Sequence, residues 1–288
     1  MTKNQRLTAI LIWTMAILLF VFSIYVKFVD RGYTEVCFID VGQGDSCFIQ
    51  TDNLSSVLID GGDKGSGTNT LIPFFKYKSV VSLDAVFVSH LHDDHISGIE
   101  ELINNDFNIK HIYMSDKVKK SENYNEFKEL VNSNNISYTF MDDDDTITID
   151  NTTFTAINSS AEHNDENELS LVLRFDCGSN SILFTGDISS TTESEILSDP
   201  DVDTDILKVA HHGSSGSSSI DFINDVSPEL SVISVGENNK YHHPNDKTLL
   251  KYDFLDIPIV RTDYDGTISI IMTDNDIRRL DFSRKREG

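Results

Sequence analysis

Basic residues are scarce in this chain: 23 Lys and Arg stand against 47 Asp and Glu, a formal net charge of −24 over 288 residues. A surface of that sign repels phosphate backbones, so tight non-specific nucleic-acid binding is excluded unless bound cations or a local basic patch reverse the field. Cysteine is scarce as well. Cys37, Cys47 and Cys177 are an odd number without C-x-x-C spacing, which argues against a disulfide framework and a zinc knuckle and leaves three small core residues. Five prolines, no Gly/Ser-rich linker and no repeat of solenoid period leave nothing to divide the chain after its N-terminal segment. A hydrophobic fraction of 39% is that of a globular protein with a sizeable core.

Charge is missing altogether from Leu7 to Val26. That run, as a helix rising about 1.5 Å per residue, reaches about 30 Å, the thickness of a bilayer's hydrocarbon. The expectation is a membrane anchor over residues 1–30, crossing the lipid bilayer once through residues 7–26, followed by one domain over residues 31–288. Lys3 and Arg6 precede the run and Lys27, Asp30 and Arg31 follow it, a weak bias that allows the N-terminus inside and the domain outside the cell. A cleaved signal peptide would make the protein secreted, but the run is long for one and Ser23-Ile24-Tyr25 offers no small-x-small cleavage site. With no second run of this kind the chain is not itself a channel, and any passage of a polymer through the membrane needs a separate channel protein.

Short apolar runs bounded by turn residues predict strands. Thr34–Asp40 and Ser46–Thr51 read as a hairpin around Gly42 and Gly44, Ser56–Asp60 as a third strand, and Thr70–Tyr77 as a short helix. Residues 110–141 read as strand, helix and strand, and Asp142 to Asp145 as a solvated turn, because the run lacks the glycine and spacing of a calcium loop. Further strands are expected over Leu169–Phe175, Ser181–Phe184, Asp205–Ala210 and Glu229–Val235. A hairpin is expected at Asp265-Gly266, and strands at 267–272 and 277–282.

The chemistry concentrates in Ser89-His90-Leu91-His92-Asp93-Asp94-His95. Three imidazoles and two carboxylates follow Ala85-Val86-Phe87-Val88 directly, so they sit at the end of a buried strand, where a tight turn aims alternate side chains at one point. Neutral imidazole with carboxylate is a ligand set for zinc, manganese or iron rather than calcium or magnesium. His90 and His92 can grip one ion, while Asp94 and His95 turn to a second position beside it. After His95, apolar residues at 96, 99, 102 and 103 predict a helix that starts at the site. The second half repeats the device. One strand ends in Thr185-Gly186-Asp187, where a carboxylate can bridge two cations; two more run into His211-His212-Gly213-Ser214 and His242-His243-Pro244.

The H-x-H-x-D-H pattern resembles the metallo-β-lactamase superfamily, and Asp40-Val41-Gly42-Gln43-Gly44-Asp45-Ser46 is similar to its ComEC-like branch, whose members include the extracellular domain of a DNA-uptake channel protein. The resemblance covers nearly all of residues 34–283. It implies an α/β sandwich, two sheets face to face with helices outside, and one or two divalent ions (zinc or manganese) held by His90, His92, Asp94, His95, Asp187 and His243. It gives Asp60 a supporting role beneath the ligand loop. Asp94, His211 and His212 are the candidates for acid–base work, with His211 or His212 open within their pair. His242 stands where the branch has glycine and Ser97 where the superfamily more often has one. The remaining ligand is Asn167 or His163. The activity implied is hydrolysis of a phosphodiester, DNA, by a water whose pKa the ions bring to about 7. Two alternatives stay beside it: a hydrolase of a small phosphoester, a cell-wall phosphodiester or a lactone or lactam, and a non-catalytic membrane-anchored scaffold, which would predict lost ligands.

Overall fold

The computed structural model describes residues 3–28, 31–159, 161–197 and 200–280. Two large sheets form the body. In the first, the strands Thr34–Phe38, Cys47–Gln50 and Ser56–Ile59 run antiparallel in sequence order. Ala85–Val88, His111–Ser115 and Ser137–Met141 add parallel strands on one side, and Ile268–Thr273 with Asp276–Leu280 closes the other. The second sheet is assembled from Thr146–Ile149, Thr152–Ala156, Leu173–Cys177 and Asn180–Phe184, antiparallel, continued by the parallel strands Ile206–Lys208, Leu230–Ile233 and Ile259–Arg261.

Most of these strands are buried on both faces, which is why they read as continuous apolar runs rather than alternations. Inward-facing Val36, Phe38, Ile49 and Phe87 meet Phe154, Phe175 and Phe184 of the other sheet in one core, with Phe87 stacked on Phe154 at 4.7 Å. Outward-facing Cys37, Phe48, Leu58 and Val86 pack against Phe75, Ile99, Leu102 and Phe127 of the helices covering the first sheet. Leu183, Leu207 and Ile233 do the same with Phe222, Ile223 and Tyr252 on the second. The result is helix, sheet, sheet, helix. Burying a side chain such as Phe or Leu contributes about 1.5–3 kcal/mol, so three such clusters oppose the ordering entropy of the chain. The three cysteines are free and buried.

Two sequence expectations are corrected. Asp265-Gly266 is not a hairpin. Ile259–Arg261 lies in the second sheet and Ile268–Thr273 in the first, with a one-turn helix, Thr262–Asp265, between them; the glycine, at φ +70°, turns the chain from one sheet to the other. The strand expected from Leu169 begins only at Leu173. Asn167–Leu169 is a 3-10 turn, and the Leu171 amide donates to the Ser89 carbonyl at 2.8 Å, so this stretch is diverted to the histidine loop before it joins its sheet.

Lys3–Phe28 is a single helix. Its described side chains include Ile10, Leu11, Trp13, Leu18 and Phe20, all exposed, while Leu7 and residues 22–26 of the apolar run lie outside the described side chains. Among the described residues no helix is long and apolar enough to cross a membrane. The part of the last strand expected beyond Leu280 also lies outside the described residues.

Candidate metal centre

At one end of the sandwich the two sheets present their loops to each other. From the first, Ala85–Val88 leads through Ser89 to His92, and the helix Asp93–Asn104 starts there with Asp93 and Asp94 in its first turn, where carboxylates suit the positive end of the helix dipole. The helix sits low over the sheet because three glycines let it. A β-carbon on Gly98 would lie 1.9 Å from the Gly61 carbonyl oxygen, and the Gly98 amide donates to Gly62 at 3.0 Å. Ser97, standing beside Gly98 where glycine is more usual, is buried.

Asp60 holds the loop. Its Oδ1 accepts from the Ser89 amide at 2.8 Å, and its Oδ2 accepts from Ser89 Oγ at 2.6 Å and lies 2.9 Å from His95 Nδ1. With Nδ1 engaged there, Nε2 is the His95 nitrogen left for an ion, and it faces Asp187 Oδ1 3.4 Å away. This is the carboxylate–histidine support common beneath metal ligands. His90 Nε2 and His92 Nδ1 face each other at 3.0 Å. Burial, then the charge on His95, holds His90 well below the usual histidine range, so its ring is neutral.

From the second sheet, Asn180–Phe184 ends in Thr185-Gly186, and Gly186 at φ +51° brings its α-carbon so near Ser170 that a β-carbon would lie 2.8 Å from Ser170 Oγ. The Asp187 amide donates to that hydroxyl at 3.1 Å. Ile206–Lys208 leads into His211 and His212, both in the left-handed region at φ 50° and 52°, a strained conformation for histidine that tends to persist only where its surroundings hold it. His212 Nδ1 donates to the Ser234 carbonyl at 3.0 Å, leaving Nε2 toward Asp94 Oδ2 at 3.3 Å and Asp187 Oδ2 at 3.6 Å.

Asp94, His95, Asp187 and His212 thus each place one ligand atom within 4.8 Å of the others. Burial, the largest single effect, opposes charge on His95 and His212, but the carboxylates together outweigh it, Asp187 with Asp60 at His95 and Asp187 with Asp45 and Asp94 at His212; His95 rises well above its usual value and His212 to about 10. Burial likewise opposes charge on Asp187 and Asp94, and the imidazoles overcome it, holding both well below the carboxylate range.

His211 Nε2 is 3.7 Å from Asp187 Oδ2. His243 stands outside the four-residue cluster but lines the same cleft of about 400 Å³, with Asn167, His92 and Tyr241, and its ring centre is 5.7 Å from that of His211. Burial, then the charge on His212, pushes His243 down to about 4. His163 does not line this cleft; its Nε2 is 2.9 Å from Glu195 Oε2. Asn167 does, and its Oδ1 is buried without a partner.

Two residues of the site escaped the sequence. Asp45, in the stretch that carries the ComEC-like resemblance but was given no role there, lies 3.2 Å from His212 Nδ1 and 2.5 Å from the ammonium of Lys208. The available signal was Lys208 itself, a single charge inside Ile206-Leu-Lys-Val-Ala210, since lysine is almost never fully buried unless paired.

The donor set fits a divalent ion. Buried His95 Nε2, Asp187 Oδ1, His212 Nε2 and Asn167 Oδ1 have no hydrogen-bond partner, a combination that would be costly in a site meant to stay empty. Asp94, His95, Asp187 and His212 would hold an ion, with His92, Asn167, His211 and His243 lining the cleft beside them and His90 against His92. Bound ions there supply Lewis acidity and hydroxide at neutral pH.

A helix-covered double sheet with imidazoles and carboxylates converging from both halves defines a metal-dependent hydrolase. The chain belongs to the metallo-beta-lactamase superfamily, whose profile matches residues 39–237. It is 31% identical over 204 residues to ComE operon protein 3 of Bacillus subtilis, an alignment that covers 70% of this chain and 26% of that protein. It is 35% identical over 112 residues to competence protein ComA of Neisseria gonorrhoeae, covering 38% of this chain and 16% of the other. The chain therefore spans about a quarter or less of the length of these curated relatives. Among solved structures, the metallo-beta-lactamase fold protein YhfI of Bacillus subtilis superposes with a TM-score of 0.55 at 16% identity, over 79% of this chain and 96% of that one, which supports the fold.

Proposed function

We propose that this protein is a membrane-anchored, metal-dependent phosphodiesterase that cuts DNA on the outer side of the cell membrane. The observation that carries the hydrolytic part is the convergence of Asp94, His95, Asp187 and His212 to within 4.8 Å at the foot of an open cleft. The choice of DNA rests on the relatives, named for a com operon and for competence, and on the ComEC-like D-V-G-Q-G-D-S stretch. Anchoring rests on the N-terminal helix Lys3–Phe28, whose described apolar side chains, Ile10, Leu11, Trp13 and Leu18 among them, are exposed. Passage of DNA through the membrane is assigned to a separate channel protein.

Within the site, His95 and His212 orient their Nε2 atoms through bonds to Asp60 and Ser234. Asp94, a carboxylate beside His212 at the cleft floor, and His211, half-exposed at its mouth, are the groups placed to take up and deliver a proton. A second reading has one observation in its favour. The cleft wall contains no Lys or Arg among the described residues, which suits a small phosphoester, a cell-wall phosphodiester or a lactone or lactam as well as a polymer.

The test is hydrolysis of single- and double-stranded DNA by the full chain with added manganese or zinc, beside the His92→Ala/Asp187→Ala double variant. Metal-dependent cleavage by the parent alone is the expected result. A parent that binds metal and leaves DNA intact overturns the nuclease reading and moves small phosphoesters to the front.

A further inference from the structure

The atoms left without partners around the metal centre fall into two kinds. Asp187 Oδ1, Asn167 Oδ1, His95 Nε2, His212 Nε2 and His243 Nδ1 are oxygens or ring nitrogens with a lone pair to offer a cation. Gln43 Nε2 is buried without a partner too, but an amide NH2 is a donor only and has nothing to give a metal. It needs an acceptor.

The side chain is not free to turn its oxygen inward instead. Gln43 Oε1 accepts from the Gly236 amide at 3.3 Å, and this fixes Nε2 on the other side of the carboxamide. The backbone enforces the same placement. Gly42 and Gly44 take φ +78° and +126°, and Gly44 passes so close to the metal loop that a β-carbon would lie 2.3 Å from the Asp94 carbonyl oxygen. Next to it the Asp45 amide donates to that same oxygen at 3.1 Å. On the far side a β-carbon on Gly236 would lie 2.6 Å from the Gln43 backbone nitrogen. Gln43 is thereby clamped between the helix that carries Asp94 and the loop after Leu230–Ile233, in the wall of the cleft that Asp187, His211 and His212 also line.

We infer that Gln43 Nε2 is a substrate contact, donating to a nonbridging oxygen of the phosphoryl group that sits in the cleft. The choice of a phosphoryl oxygen as the acceptor rests on the phosphodiesterase reading above. A neutral donor is what this cleft requires. With no Lys or Arg in the described wall, the ions supply the positive charge and Gln43 supplies direction, turning one oxygen toward itself and so fixing the phosphorus relative to the cluster. An unmet buried donor costs free energy that a ligand oxygen recovers.

Gln43→Met keeps the length and removes the donor. Gln43→Glu keeps the oxygen that Gly236 binds, and hence the loop, while placing a negative acceptor where the donor was. The full chain, loaded with manganese and its metal content measured, is titrated calorimetrically with inorganic phosphate. Hydrogen bonds to charged groups predict that the phosphate dissociation constant rises roughly 10- to 100-fold in Gln43→Met and further in Gln43→Glu, with metal content unchanged in Gln43→Met. A Gln43→Met affinity equal to the parent's overturns the inference, as does a parent that binds no phosphate when loaded with metal. A parent that binds phosphate in a Gln43-dependent way yet cuts no DNA retains this contact and rejects the nuclease reading. A parent that cuts DNA, with Gln43→Met binding phosphate as the parent does, retains the nuclease and rejects the contact.

Discussion

Replacing Lys208 with methionine keeps the side chain's volume and removes one charge from beneath the metal centre. The ammonium lies 2.5 Å from Asp45 Oδ2 and donates to the Val209 carbonyl at 3.0 Å, and both Lys208 and Asp45 are buried. Without it, Asp45 keeps two imidazoles as counter-charges, His212 at 3.2 Å and the more distant His95. Breaking a buried pair by removing one partner costs about 3–5 kcal/mol, because the other charge is left in a poor solvent. At about 2–4 °C per kcal/mol for a chain of this size, the thermal midpoint should fall by about 6–20 °C near pH 7. The pH dependence has a definite sign. Burial works to raise the Asp45 pKa, but Lys208 and then His212 outweigh it and hold it below the usual value. A carboxylate held low stabilises the fold above its unfolded pKa, about 4, and that contribution is lost as pH falls through the native value. In Lys208→Met the native value rises, so the acid limb of the stability curve moves to higher pH. Asp45→Asn/Lys208→Met removes both charges and should recover at least half of the loss. Thermal and urea unfolding of the metal-free protein between pH 4 and 8 measures all of this. A single variant within about 1 kcal/mol of the parent, or a double variant no better than the sum of the singles, refutes the reasoning.

Asp60→Asn should weaken metal binding roughly 10- to 100-fold while the fold survives, since Asp60 orients His95 and the Ser89 loop rather than touching an ion; competition with a fluorescent chelator reads the change. Gly98→Ala should lose metal and cost about 1–3 kcal/mol or more, because the methyl falls 1.9 Å from a backbone oxygen that can move only with the Gly61-Gly62 turn; a variant as stable and metal-replete as the parent would show that the helix has room. His163→Ala should leave metal content unchanged and Asn167→Ala should lower affinity, and the opposite pattern in metal analysis would move the ligand to His163.

The histidine loop, Asp187 and the His211-His212 pair were legible because a metal site leaves polar residues at the ends of apolar strands, where packing alone would not put them. The sheets were legible for a related reason: strands buried on both faces leave long apolar runs, and most of their ends were placed to within a few residues. What the sequence hid was long-range. Leu171 leaves its expected strand because Ser89, far earlier in the chain, takes its amide, and Asp265-Gly266 turns between sheets because Val235 and Thr262 bind each other, the Thr262 hydroxyl donating to the Val235 carbonyl at 2.9 Å. Asp45 was hidden by its neighbours. Between two glycines and a strand it looks like any turn aspartate, and only the fold brings Lys208 and His212 to it. The choice between His163 and Asn167 likewise depended on which way a polar loop faces.

Because Asp94 and His95 come from the first sheet and Asp187 and His212 from the second, an ion held by all four would tie together two halves of the chain. A ribosome that has released the first half has made ligands without a site. A nicked or wrongly docked chain would keep the histidines and lose the 4.8 Å constellation.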